Sequence, residues 1–305
     1  MNACVHSSEA RSPSISGPWL GTAIAIAALG MVGWAGAVLL REPVTQWFAI
    51  SASTWMVLLV VTALWQLRGS VLAIVAFALS TAVIARLFSI LRVHPPASIV
   101  GMTADQLDLQ VATGPGIEGF ELLGWVMGAL VFARFLSVAR VALVASGTQT
   151  WPHATTAMTF IRIYLGLMFV PHFCSHVLGG PFQFEVYTVY FQSLGIHMPA
   201  AQVLLAGTVE IITAVGLVLG FLTRPVAVLG SVYLLISMFL GGHFHIGYVW
   251  ALPEGGYEFG VFWAAMIAVF AVIGGGPLSA DREVLQWSEL RLPRSVRGLT
   301  QELLS

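Results

Sequence analysis

Lysine is absent from this chain: all thirteen basic residues are arginine. Charged residues of every kind make up only 9% of 305 positions, where a soluble globular chain carries about 25%. With 58% hydrophobic residues and a mean hydropathy of +0.88, an ordinary soluble domain is excluded. A net charge of −1 gives no basic surface for nucleic acid. There are two cysteines, Cys4 and Cys174, and no Cys-x-x-Cys, which excludes a disulfide framework and paired-thiol exchange. The sequence shows no glycine-rich dinucleotide fingerprint, haem-attachment motif or iron–sulfur cysteine set, so any electrons are expected from a partner subunit or directly from a small reductant.

What is present is apolar sequence in lengths that cross a bilayer. Eight segments reach the roughly 20 residues a spanning helix needs: about 19–40, 48–67, 70–91, 120–143, 157–177, 202–222, 226–245 and 258–275. The expected fold is therefore an all-α polytopic membrane protein of eight transmembrane helices in two tandem four-helix bundles. Met1–Gly17 is polar, and the run opening at Trp19 is too long for the core of a signal peptide, so we expect no cleaved leader. Placing the N-terminus in the cytoplasm puts ten arginines at the inner side. Arg41, Arg86 and Arg92 alone fall toward the outer side, in line with the positive-inside rule. The expected division is a cytoplasmic tail 1–17, a first bundle 18–145, a linker 146–156, a second bundle 157–281 and a cytoplasmic amphipathic tail 282–305, in a bacterial inner membrane with both termini inside.

The two halves read as a degenerate repeat. Leu67-Arg68-Gly69 and Thr223-Arg224-Pro225 are matching short turns, and Glu118–Glu121 and Glu254–Glu258 are matching acidic helix entries. Aligned on Arg68 and Arg224, Thr54 stands opposite Glu210 and Arg86 opposite Gly242. The second half therefore holds the ionisable residues of a site, and the first reads as a packing or partner-binding half.

Ionisable groups at membrane depth are costly and point to function. Glu210 lies inside the sixth apolar run, about eight residues or roughly 12 Å below its outer boundary. His243 and His245 close the seventh run, and Glu258 opens the eighth. The competing reading of Glu210 is a neutral hydrogen-bonded carboxyl that holds helices together. His172 and His176 are four apart and share a helix face. With His243 and His245 they form an outer histidine group of the ligand type that suits transition metals, but without a metal-binding motif we assign no metal. Proton handling is the better reading, since histidine titrates near neutral pH and a desolvated carboxyl binds its proton more tightly. We expect Glu210, His243 and Glu258 as proton-handling groups. His172, Tyr257 and His245 are expected around a bound quinone, whose reduction takes two electrons and two protons. Tyr164 and Tyr233 are further donors. Residues 179–199 mix aromatics with few charges and suit the membrane interface, either as an anchor or as a lid over the outer mouth. Arg162 and Arg224 read as inner-face anchors. In the stretch 274–281, Gly and Pro stop the last span, and Ser279 or Asp281 caps the tail.

The order of Arg162, Gly166, His172, Leu194-Gly195, Pro199, Val209-Glu210, Gly216, Gly220, Thr223-Arg224, His243, Gly256-Tyr257-Glu258 and Gly276–Asp281 resembles the DoxX family of four-helix membrane proteins, over about 125 of 305 residues. The family takes its name from a subunit linked to a thiosulfate:quinone oxidoreductase. The resemblance thus implies quinone as cofactor, a partner subunit that supplies electrons, and a role beside quinone-linked, sulfur-compound redox chemistry. Two other functions compete with it: a non-catalytic anchor or assembly subunit, and a small-solute transporter built from parallel repeats.

Overall fold

The computed structural model describes residues 18–91, 98, 99, 101–103, 106, 107, 117, 119–145, 152–247 and 256–291. Those residues are helical, with no strand among them. In chain order the helices are α1 (Pro18–Arg41), α2 (Gln46–Trp65), α3 (Val71–Ile90), α4 (Phe120–Ala145), α5 (Pro152–Leu167), α6 (Val170–Phe173), α7 (Pro181–Ser193), α8 (Pro199–Leu219), α9 (Thr223–Leu240), α10 (His243–Ile246), α11 (Glu258–Ile273) and α12 (Ala280–Arg291). The expected N-terminal tail, residues 292–305 of the expected C-terminal tail, the linker up to Trp151, and Glu118 and Glu254 of the acidic turns lie outside the described residues.

Among the described residues, seven helical stretches are long and apolar enough to cross a membrane, and the fifth runs from Ala154 through α5 and α6 to Leu178. The expected eighth span is different. α11 has 16 residues, a rise of about 24 Å, which is short of a roughly 30 Å hydrocarbon core.

Helix starts follow local chemistry. Thr45 caps α2 by accepting from Phe48 N at 3.3 Å, and Ser70 caps α3 by accepting from Ala73 N at 3.5 Å. Proline opens α5, α7 and α8, where its missing N–H costs no helical bond. The α2–α3 connection closes through Gly69 at φ 71°, a conformation natural to glycine.

α3 is the central element: 72% of its apolar window is buried, against 28% for α2 and for α4. It packs on α2 and α4 on one side and on α6 and α8 on the other. The buried core is therefore continuous across the two halves, from Leu20 to Phe270. Polar ties reinforce this seam. Trp47 Nε1 donates to Val177 O at 2.8 Å, and Gln183 Nε2 donates to Ile90 O at 2.7 Å.

A second arrangement closes the opposite end of the second half. Gly220 and Leu222 adopt φ 66° and 49° in the α8–α9 turn. Asp281 holds that turn: its N–H donates to Gly220 O at 2.9 Å. Its carboxylate accepts from Leu222 N at 2.7 Å, Thr223 N at 3.0 Å and Thr223 Oγ1 at 2.7 Å. These bonds keep a leucine in the left-handed region, which is strained without such support. Asp281 thus caps α9 rather than the tail, while Ser279 Oγ accepts from Arg282 N at 3.3 Å. Arg162 is not a surface anchor. It is fully buried, donates from Nη2 to Leu278 O at 2.9 Å, and lies where a Cβ on Gly220 would stand.

Candidate functional site

The fifth span changes pitch where it reaches the site. Pro171 removes a backbone donor in α6, and the helix then widens into a π turn over Cys174–Leu178, closed by Gly179 N donating to Cys174 O at 2.6 Å. Such bulges re-aim side chains within an otherwise regular helix. Here the turn carries His176. Opposite it, Gly207 of α8 allows close approach: a Cβ there would stand 2.5 Å from Val177 Cγ1 and 3.2 Å from His176 Cβ. Glu210 follows Gly207 by one turn and lies on the same helix face.

Glu210, 2% exposed, has both oxygens engaged. Oε2 shares a hydrogen bond of 2.7 Å with His176 Nδ1, and Oε1 accepts from the Tyr233 hydroxyl at 2.5 Å. Three elements thus meet on one carboxyl: α8, the π turn and α9. A carboxyl between a phenol and an imidazole can hold a proton or pass it to the ring, and its geometry does not depend on which group carries it. Tyr187 of α7 stands edge-on to the His176 ring, with centroids 4.3 Å apart.

This trio forms part of the wall of a cavity of about 660 Å³. The remaining wall is mostly apolar and aromatic, with Phe169, Tyr190, Phe191 and Trp263 prominent. Phe169 packs on Trp263 at 4.5 Å, and His172 packs on Trp263 at 5.7 Å between centroids. The aromatic segment after the fifth span is helix α7, and it supplies Val186, Tyr187, Tyr190 and Phe191 to the wall.

Of the expected site residues, Glu210, His172 and His243 line this cavity. Glu258, His245 and Tyr257 are not among its lining residues. Glu258 begins α11, and its two oxygens are buried without a hydrogen-bond partner among the described residues. Tyr257 stacks on Phe244 at 5.5 Å, and His245 is exposed on α10. Glu210 is also deeper than expected. α8 starts at Pro199, so Glu210 lies eleven residues, about 16 Å, below that end. The direct partners of Glu210 are His176 and Tyr233, not His243. His176 shows in the sequence only through its spacing from His172. Among the described residues no group of three or more His, Cys, Asp or Glu side chains is arranged to hold a metal ion.

Gly207 yields a prediction. Gly207→Val forces α8 away from the π turn and is expected to destabilise the protein by about 1–3 kcal/mol through overpacking. It also separates Glu210 from His176. Thermal unfolding of purified protein reads the first effect, and the loss of a Glu210-dependent infrared carboxyl signal reads the second.

Apolar helices long enough to cross a membrane, packed around a partly aromatic cavity with a buried hydrogen-bonded carboxyl in its wall, define an integral membrane protein. The chain belongs to the DoxX family. The sequence model of that family, described as DoxX, matches residues 157–243, the stretch that holds Arg162, His176, Glu210, Tyr233 and His243. Inner membrane protein YphA of Escherichia coli (strain K12) is 31% identical over 128 residues, which cover 40% of this chain and 85% of that protein. No solved structure matches the chain.

Proposed function

We propose that this protein is a quinone-associated membrane subunit, in which the second half binds the quinone headgroup and moves its protons. The observation that carries this reading is the His176–Glu210–Tyr233 hydrogen-bonded trio in the wall of an apolar cavity at membrane depth. A pocket of this kind, mostly apolar with a few convergent polar groups, suits an amphipathic ring. The donor set fits as well. His243 Nδ1 is buried without a partner among the described residues, and His243 lines the same cavity. A buried polar atom left unpaired is costly, and a ligand carbonyl oxygen would satisfy it.

When bound, a quinone supplies a two-electron, two-proton acceptor. In this reading Glu210 holds the transferable proton, His176 relays it, and Tyr233 orients the carboxyl through its hydroxyl. His243 donates at the other end of the cavity. Electrons come from a partner subunit acting on a reductant such as a sulfur compound, because the chain has no redox motif. The first half braces the site through Trp47 on Val177 and Gln183 on Ile90. We assign the protein to the bacterial inner membrane, with both termini cytoplasmic and the His243 end of the second half outward. The apolar helices and the similarity to inner membrane protein YphA support the membrane, and the arginine distribution supports the orientation.

The test is equilibrium binding of a tail-less benzoquinone to purified protein in lipid nanodiscs. Wild type is expected to bind it through the His176 ring, and Glu210→Gln to bind at least about tenfold more weakly, because a neutral amide replaces the carboxylate whose charge-assisted bond orients that donor. Binding untouched by Glu210→Gln, or no binding by wild type, removes the reading. In the latter case, co-purification of a stoichiometric soluble subunit without quinone would favour the anchor function. A milder effect is expected for Tyr233→Phe. It removes one donor from the carboxyl at nearly constant volume, so quinone-linked turnover of the complex should fall about tenfold, the scale of one lost hydrogen bond to a charged group.

A further inference from the structure

The cavity walls contain a feature that proton handling does not use. On α9 the lining positions Leu229, Val232, Ile236 and Leu240 fall on one stripe, and Leu205 faces them from α8. These apolar side chains are among the more exposed of the chain: Leu205 57%, Leu229 37%, Val232 49%, Ile236 52% and Leu240 49%. A residue that lines a cavity and is also half exposed marks the place where that cavity opens. From Leu229 to Leu240 is eleven residues, about 16 Å along the helix, and all of it lies within the candidate span Thr223–Leu240. The stripe therefore runs along a helix long and apolar enough to cross a membrane, where the surroundings of an opening would be acyl chains rather than water.

We infer that the cavity is a cleft open sideways to the bilayer between α8 and α9. Its occupant is a lipid-soluble molecule with a compact polar head and an apolar chain. The inference rests on the headgroup reading above and adds to it the route and the chain. The head lies at Glu210, His176 and Tyr233. The chain lies along Val232, Ile236 and Leu240 and continues into the membrane. An opening that led only to water would leave this stripe of leucine, valine and isoleucine wet, at about 25 cal/mol for each Å² exposed. An opening into lipid carries no such cost. The charge pattern agrees, since α9 has no acidic or basic residue after Arg224.

The experiment compares two ligands on intact protein in nanodiscs: a tail-less benzoquinone and the same ring with a ten-carbon chain. The variants are Val232→Trp and Ile236→Trp. They sit on successive turns of the stripe and fill it without adding charge, and each is checked by thermal unfolding. Wild type is expected to prefer the chain-bearing ligand by tenfold or more, after correction for its partition into lipid. Each tryptophan variant should bring that preference toward parity. A wild type with no such preference overturns the inference, as does a preference that survives both substitutions, even where the tail-less ligand binds through Glu210. Wild type that binds neither ligand overturns the headgroup reading and this inference together. Tail-less binding indifferent to Glu210→Gln, with the preference present and abolished by tryptophan, removes the proton role of Glu210 and leaves the cleft standing.

Discussion

On the proposed quinone-linked reading, Glu210→Gln is expected to leave the protein folded while turnover with the electron-supplying partner falls about 10²-fold, the usual scale for losing a general acid–base group. An amide fits the place of the carboxyl. Its oxygen accepts from Tyr233, as Oε1 now does at 2.5 Å, and its NH2 donates toward His176 Nδ1, now 2.7 Å from Oε2. The shape and both contacts remain, and the charge and the titration are lost. Glu210→Leu tests the opposite case. It strands a phenol and an imidazole in a buried site, at about 1–3 kcal/mol for each unsatisfied group, and should lower the melting temperature. His176→Ala should act in the direction of Glu210→Gln but not add to it, because members of one relay do not contribute independently. If Glu210→Gln turns over at the wild-type rate with the partner present, the carboxyl is a packing residue that joins α8 to its neighbours.

The largest stability effect is expected at the other end of the same half. Asp281→Ala removes the acceptor of three hydrogen bonds, from Leu222 N, Thr223 N and Thr223 Oγ1. It also deprives the buried Arg162 guanidinium of the carboxylate that offsets its charge. Leaving these buried donors without their acceptor costs about 1–3 kcal/mol for each group, on the order of 10 °C in melting temperature together. Leu222 loses the bond that holds it at φ 49°, so the α8–α9 turn should loosen first, and hydrogen exchange at residues 220–224 should report it. Asp281→Asn keeps one carbonyl acceptor and should cost less. Gly220→Ala should be as damaging as Asp281→Ala, because its Cβ would displace Arg162 at a positive φ. An Asp281→Ala protein that melts like wild type would show the clasp to be dispensable. Glu210→Gln with normal stability and Asp281→Ala with poor stability would separate the site from its scaffold.

The sequence identified Glu210 as the residue of interest because a carboxyl deep in an apolar run needs a reason to be there. It could not identify the partner. His172, His176, His243 and His245 all lie toward the same end, and hydropathy does not rank them. His243 is near Glu210 in span order and lines the same cavity. His176 forms the bond because the π turn rotates it inward and Gly207 lets α8 close on it. Asp281 shows the same limit. As a polar residue just past a glycine-rich stop it reads as a cap for the helix that follows. Only the folded chain turns it back onto Leu222 and Thr223, fifty-nine and fifty-eight positions earlier.

What the sequence determined by itself is the class of protein: helical, membrane-embedded, DoxX-like in its second half, with its ionisable groups set there. Those properties follow from terms summed along the chain. Apolar length sets the spans, and the cost of a bare backbone in hydrocarbon makes them helices. Tertiary structure decided which histidine meets Glu210, that Asp281 turns back onto the α8–α9 connection beside Arg162, that α3 joins both halves in one core, and that an apolar stripe of α9 lines the cavity. Each depends on how one helix is rotated and how closely it approaches another. A one-residue bulge rotates every later side chain by a large fraction of a turn, and a single missing Cβ sets the spacing of two helices. Neither leaves a trace in hydrophobic periodicity.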